Sequence, residues 1–199
     1  MPLAARPRLT GSMRAPLSTT KDTMNHDSYS DTYIKAILDE VKTVAMVGAS
    51  ANTVRPSYFV LKYLLSKGYE VWPVNPGQAG KEILGKTVYA SLDDLPGVPD
   101  MVDIFRNSEA AAEIVDDIIA SKDKRGGLPK VIWMQLTVQH EEAAKRAEDA
   151  GIKVVMDRCP KIEYGRLSGE IGWAGVNSRT LSSKRPVLKG GFQHRGLKG

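Results

Sequence analysis

Apolar and polar positions along this chain change period several times, and the changes mark out elements. From residue 31, apolar residues recur at Ile34, Ile37, Leu38 and Val41, a helical spacing that Asp31 can cap. Thr43 to Val47 is a short apolar run closed by Gly48, the pattern of a buried strand and turn. Between Ser57 and Lys67, Phe59, Val60, Tyr63 and Leu64 share a helical face, and Gly68 supplies the stop. Tyr69 to Val74 reads as the next strand, closed by the turn signature Asn75-Pro76-Gly77, with a short extended piece near Thr87 to Tyr89. Met101 to Phe105 is another strand. Ser108 then caps a helix that turns Ile114, Val115, Ile118 and Ile119 inward. Lys130 to Gln135 is a strand, Val138 to Ala150 a helix opened near His140 and ended by Gly151, and Lys153 to Met156 the last strand.

Continuous apolar strands alternating with amphipathic helices predict an α/β fold, a parallel sheet covered on both faces. The chain shows no internal repeat. None of its apolar runs approaches the roughly 20 residues of a membrane span, so no membrane partner is expected.

The formal net charge of +5 at first suggests nucleic acid. Its distribution argues otherwise. Residues 1–23 carry Arg6, Arg8, Arg14 and Lys21 against Asp22, and residues 178–199 carry Arg179, Lys184, Arg185, Lys189, Arg195 and Lys198 with no acid. The body between them is mildly acidic, which speaks against a nucleic-acid surface on the fold. Residues 1–23 lack hydrophobic periodicity and read as a disordered extension ahead of a start at Met24. Beyond about Ser182, Gly, Lys and Pro signal a basic flexible tail, 183–199. A single cysteine, Cys159, excludes an internal disulfide framework and indicates a reducing compartment, the cytoplasm. The competing reading is the mitochondrial matrix, with residues 1–23 as a transit peptide. His26, His140 and His194 are too scattered for a zinc site.

Ligands of such sheets collect beyond the carboxyl ends of the strands. The loop Gly48-Ala49-Ser50-Ala51-Asn52 runs into a helix near Ser57, whose free N–H groups favour a phosphate, and Arg55 can add a charge-assisted contact. A dinucleotide fingerprint is missing: only Gly48 of its glycines is present, and Asn75-Pro76 stands where an acid would hold ribose. Arg106 follows the Met101 to Phe105 strand and could contact a ligand or pair with Asp103 or Asp157. Cys159 could be a thiol nucleophile if Arg158 lowered its pKa, or a small packed residue before Pro160. No histidine stands ready to activate it. The chain shows no complete set of catalytic residues, which predicts a binding protein rather than an enzyme.

Taken in order, Val47-Gly48-Ala49-Ser50, Arg55-Pro56-Ser57, Val74-Asn75-Pro76, Glu82-Ile83-Leu84-Gly85, Val102-Asp103-Ile104-Phe105-Arg106, Trp133-Met134-Gln135 and Met156-Asp157-Arg158-Cys159-Pro160 resemble the stand-alone CoA-binding domain proteins. These are similar to the amino-terminal domain of the succinyl-CoA ligase α subunit. The resemblance spans roughly residues 31–180. It implies a single Rossmann-like, doubly wound domain that binds coenzyme A or an acyl-CoA without catalysing a reaction. The diphosphate would sit by Gly48, Ala49, Ser50, Asn52 and Arg55, with Asn75 and Pro76 along the nucleotide and Lys81 as a further cation. Phe105, Arg106 and Gln135 would approach the pantetheine arm, and Cys159 would lie near the thiol. The ligase's phosphorylated histidine has no counterpart here, so ligase chemistry is not implied. Three alternatives stay open: an NADP-dependent oxidoreductase on the same fold, a thiol-redox protein acting through Cys159, and an interaction module whose tails bind an acidic partner or RNA. A homodimer or another protein partner is equally open.

Overall fold

The computed structural model describes residues 24–169. The extension 1–23, the tail 183–199 and residues 170–180 of the expected domain lie outside the described residues.

Five strands form one parallel sheet in the order β2-β1-β5-β6-β7: β1 is Thr43–Val47, β2 Glu70–Val74, β5 Met101–Ile104, β6 Val131–Met134 and β7 Lys153–Val155. A small antiparallel hairpin, β3 (Glu82–Ile83) with β4 (Lys86–Thr87), follows β2. The helices are α1 (Asp31–Glu40), α2 (Pro56–Ser66), α3 (Ser108–Ala120), the short α4 (Lys122–Arg125), α5 (Glu141–Asp149) and α6 (Pro160–Leu167). Side chains alternate across each strand, so the sheet feeds two cores. Val44, Met46, Met101, Val131 and Trp133 pack with α1, α2 and α6; Ala45, Val102, Ile104, Ile132 and Met134 pack with α3 and α5. This is the doubly wound, Rossmann-like architecture expected from the alternating pattern.

Two helices start one residue earlier than the sequence suggests. Ser30, not Asp31, caps α1 by accepting from Tyr33 N at 3.2 Å, and Asn107, not Ser108, caps α3 by accepting from Ala110 N at 3.1 Å. The freed Asp31 pairs instead with Arg166 at 2.7 Å. Helix α5 begins at Glu141, capped by His140 Nδ1, which accepts from Ala143 N. The sequence pattern does not announce α6 or the two-residue strands of the hairpin.

The register brings the strand ends level. Val47 pairs with Val74 on one side and Ile104 on the other, and Ile104 pairs with Met134. Beyond that line, Gly48 N donates to Val74 O at 2.9 Å while Phe105 N donates to Val47 O at 2.8 Å. The chain thus leaves β1 between β2 and β5, where the direction of winding reverses and α/β sheets open a crevice.

Candidate functional site

The crevice is a groove of about 840 Å³, inside the roughly 300–1,000 Å³ range of small-molecule sites. Its first wall is the loop after β1. Gly48 adopts φ +86°, and a Cβ there would stand 2.5 Å from the Phe105 carbonyl oxygen, so glycine is required both by conformation and by contact. The loop is braced from below. Asn75 Nδ2 donates to Ala49 O at 2.7 Å, and Ala51 N donates to Gln78 Oε1 at 3.1 Å. Ser50 Oγ accepts from Asn52 N, and Asn52 Oδ1 accepts from Val54 N, two local turns that carry the chain to the start of α2. Arg55 is the N-cap residue of α2, and its side chain makes no capping bond. Pro56 has no N–H, and the N–H groups of Arg55 and Tyr58 are taken up by Asn52 O and Arg55 O, so the Ser57 N–H is the first-turn donor left beside the guanidinium, a modest form of the arrangement that attracts anions.

The second wall comes from the ends of β5 and β6 and the start of α6. Phe105, Arg106, Gln135, Leu136, Thr137, Val138, Cys159, Lys161 and Ile162 line it. Thr137 holds φ +72°, unusual for a β-branched residue, and is secured by its N–H donating to Asp157 Oδ1 at 2.8 Å. Three cations, Arg55, Arg106 and Lys161, border the groove, and its lining includes no Asp or Glu. Arg55 and Arg106 are exposed and stand in no ion pair among the described residues. Arg106 thus takes neither Asp103 nor Asp157 as a partner.

Of the residues expected from the sequence, Gly48, Ser50, Arg55, Asn75, Phe105, Arg106, Gln135 and Cys159 come together on this groove. Ala49, Asn52, Pro76 and Lys81 do not line it. Ala49 is packed in the core, Asn52 shapes the loop, Pro76 opens the turn after β2, and Lys81 is exposed on the hairpin side, where its backbone bonds Gln78 and Val88. Val54, Phe59, Lys161 and Ile162 line the groove without having been expected. Phe59, read as core-facing, is 49% exposed, and Lys161 Nζ lies 6.0 Å from its ring centre. The Pro160 that follows Cys159 was the available signal for α6, since proline favours the first helical turn.

Of the two readings of Cys159, the structure favours the small packed residue over the activated thiol. Arg158 is buried and turned away: it donates to Asp157 O, stacks over Tyr29 at 5.3 Å and lies 3.9 Å from Glu163. Burial pushes the Cys159 thiol up to about 11, so it stays protonated at neutral pH.

Residues 42–165 match the family described as CoA binding domain. The chain belongs to that family. As a CoA binding domain, it is 34% identical over 131 residues to the uncharacterized protein YneT of Bacillus subtilis, an alignment covering 66% of this chain and 91% of YneT. A solved Thermus thermophilus structure is 37% identical with a TM-score of 0.63, over 70% of this chain and 99% of the other. A hypothetical protein from Pyrococcus horikoshii is 38% identical with a TM-score of 0.64, over 75% of this chain and all of its own length. The CoA binding domain described here has no helix long and apolar enough to cross a membrane among the described residues.

Proposed function

We propose that this chain binds coenzyme A or an acyl-CoA along the carboxyl edge of its sheet, as a non-catalytic CoA-binding protein. The observation that carries the reading is the sign of the groove. The body of the chain is mildly acidic, yet the groove is bordered by Arg55, Arg106 and Lys161 with no carboxylate on its lining. Such a surface selects a polyanion. The residues also fit coenzyme A in their order. Gly48, Ser50, the Ser57 N–H at the start of α2 and Arg55 would hold the diphosphate, on a loop whose path past the Phe105 carbonyl only glycine at position 48 allows. Asn75 would border the nucleotide. The apolar lining residues Phe105, Leu136, Val138 and Ile162 would suit the uncharged arm, with the nearly buried Gln135 and Cys159 beneath it.

A thermal-shift series with coenzyme A, dephospho-CoA, NAD and NADP tests this. Ligand at about 100 times its Kd stabilises by roughly 2.7 kcal/mol, which raises Tm by several degrees. Coenzyme A should give the largest shift, and Arg55→Ala should reduce it. No shift with millimolar coenzyme A, or a larger one with NADP, would overturn the proposal.

A further inference from the structure

Beneath the groove lies a carboxyl group that the fold does not need. Asp103 is in the middle of β5, between Met46 of β1 and Trp133 of β6 in register. The pleat sends its side chain to the α1/α2/α6 side, where it is fully buried. Its Oδ1 accepts from Gln135 Nε2 at 2.8 Å, and its Oδ2 has no partner. An unpaired carboxylate oxygen in a core is costly, and local rules are broken in this way mostly at functional positions. Gln135 is the link outward. It is 6% exposed, lines the groove, and its Oε1 accepts no hydrogen bond among the described residues.

We infer that Asp103 is a positioning residue that fixes which end of the Gln135 amide faces the groove, so that the floor presents a carbonyl oxygen to a hydrogen-bond donor on the ligand's uncharged arm. The inference rests on the coenzyme A reading and deepens it. An ionised carboxylate only accepts, so Gln135 must turn its NH₂ inward and its Oε1 outward. A protonated Asp103 could donate to Oε1 instead, and the amide would then turn its NH₂ to the ligand. The arm offers two kinds of donor, amide N–H and terminal S–H, and the chemistry at Gln135 is the same for both.

Asp103 is the group in this pocket placed to titrate near neutrality. Burial raises its carboxyl to about 7 against the pull of the Gln135 bond, and the Cys159 thiol nearby stays protonated, while Arg55, Arg106 and Lys161 are the cations on the groove. The buried residues of α1 and α2 are Ile34, Ile37, Leu38, Ser57, Val60, Leu61 and Leu64, none of them ionisable. Glu163 of α6 is engaged by Arg166 at 2.7 Å.

The test is a calorimetric comparison of coenzyme A with adenosine 3′,5′-bisphosphate, which has the nucleotide but not the arm. The ratio of the two affinities in wild type, divided by the same ratio in Asp103→Asn, should rise severalfold between about pH 6 and about pH 8 as Asp103 ionises; the division cancels the second ionisation of the bisphosphate's 5′-phosphate, which falls in the same range. In Asp103→Asn, whose side chain can both donate and accept, the ratio should be roughly five- to tenfold lower than in wild type at the upper pH, with the gap closing towards the lower pH. Gln135→Leu should lower it similarly. Acetyl-CoA identifies the donor: if its binding ignores Gln135→Leu the donor is the thiol, and if its binding falls the donor is an amide. Coenzyme A that binds wild type with a ratio whose size and pH profile both substitutions leave unchanged overturns this inference alone. Coenzyme A that fails to bind wild type overturns the underlying reading.

Discussion

Gly48 shows how much one residue decides. Its φ of +86° and the 2.5 Å approach of the Phe105 carbonyl to any Cβ leave no relief by side-chain movement, because the obstacle is backbone. Gly48→Ala should cost about 2 kcal/mol or more from the left-handed conformation and the clash together. Urea unfolding should show a lower midpoint with an unchanged slope, and a loss under 0.5 kcal/mol would contradict the geometry. Asp103 makes the opposite prediction. Its carboxyl sits at about 7 in the fold and near 4 in the unfolded chain, so the folded state holds the extra proton between those values. Stability from this group is present below about pH 4 and is lost as pH rises towards 7. Asp103→Asn should therefore gain stability over wild type at about pH 8, on the order of 4 kcal/mol at most, with the gain shrinking towards pH 4. Equal pH profiles for the two proteins would refute a buried, strained carboxyl. The sequence displays Asp103 plainly, but an acid inside an apolar run does not reveal whether it faces water, an arginine or a glutamine. Strand parity and the neighbour at Gln135 become visible only once β5 and β6 are in register.

At the scale of elements, the strands were legible because continuous apolar runs ended at glycine or Asn-Pro, and β1 falls on Thr43–Val47 as the pattern predicts. The caps slipped by one residue because Ser30 and Asp31, and Asn107 and Ser108, are neighbouring candidates with the same chemistry. Helix α6 was hidden for a different reason: its buried face consists of Pro160, Glu163 and Gly165, which shows no apolar period. Ile162, Tyr164 and Leu167 pack half-buried against the core, and an ionic pairing fixes the buried face. Glu163 is 1% exposed and receives two bonds from Arg166, at 3.2 and 2.7 Å, while Arg166 also reaches Asp31 on α1. Because α6 brings Cys159, Lys161 and Ile162 to the groove, this pairing ties site and core together. Arg166→Met should cost about 3–5 kcal/mol by leaving a buried carboxylate without its main partner. The loss should be largely relieved in the double variant with Glu163→Gln. A single-variant cost below 1 kcal/mol would place the pairing on a solvated surface instead.

For the whole molecule, the level strand ends and the reversal between β1 and β5 put the glycine loop, three cations and several apolar side chains on the same edge. The separation of charge was foreseeable from the sequence, where the net positive charge lies outside residues 24–177 and the body is acidic. The local reversal of that sign within the groove was legible in part: Arg55 and Arg106 stand at strand ends where the sequence already places them at the site, whereas Lys161 arrives on α6, which the pattern does not announce. Lys81 illustrates the converse: a lysine near the right motif, carried away by a hairpin of two-residue strands too short to read. The central claim is that coenzyme A lies in this groove, and a backbone amide chemical-shift map recorded as coenzyme A is added tests it most directly. The account predicts saturable changes concentrated at residues 48–57, 105–106, 135–138 and 159–162. Changes confined to other faces of the fold, or none at saturating ligand, would contradict it.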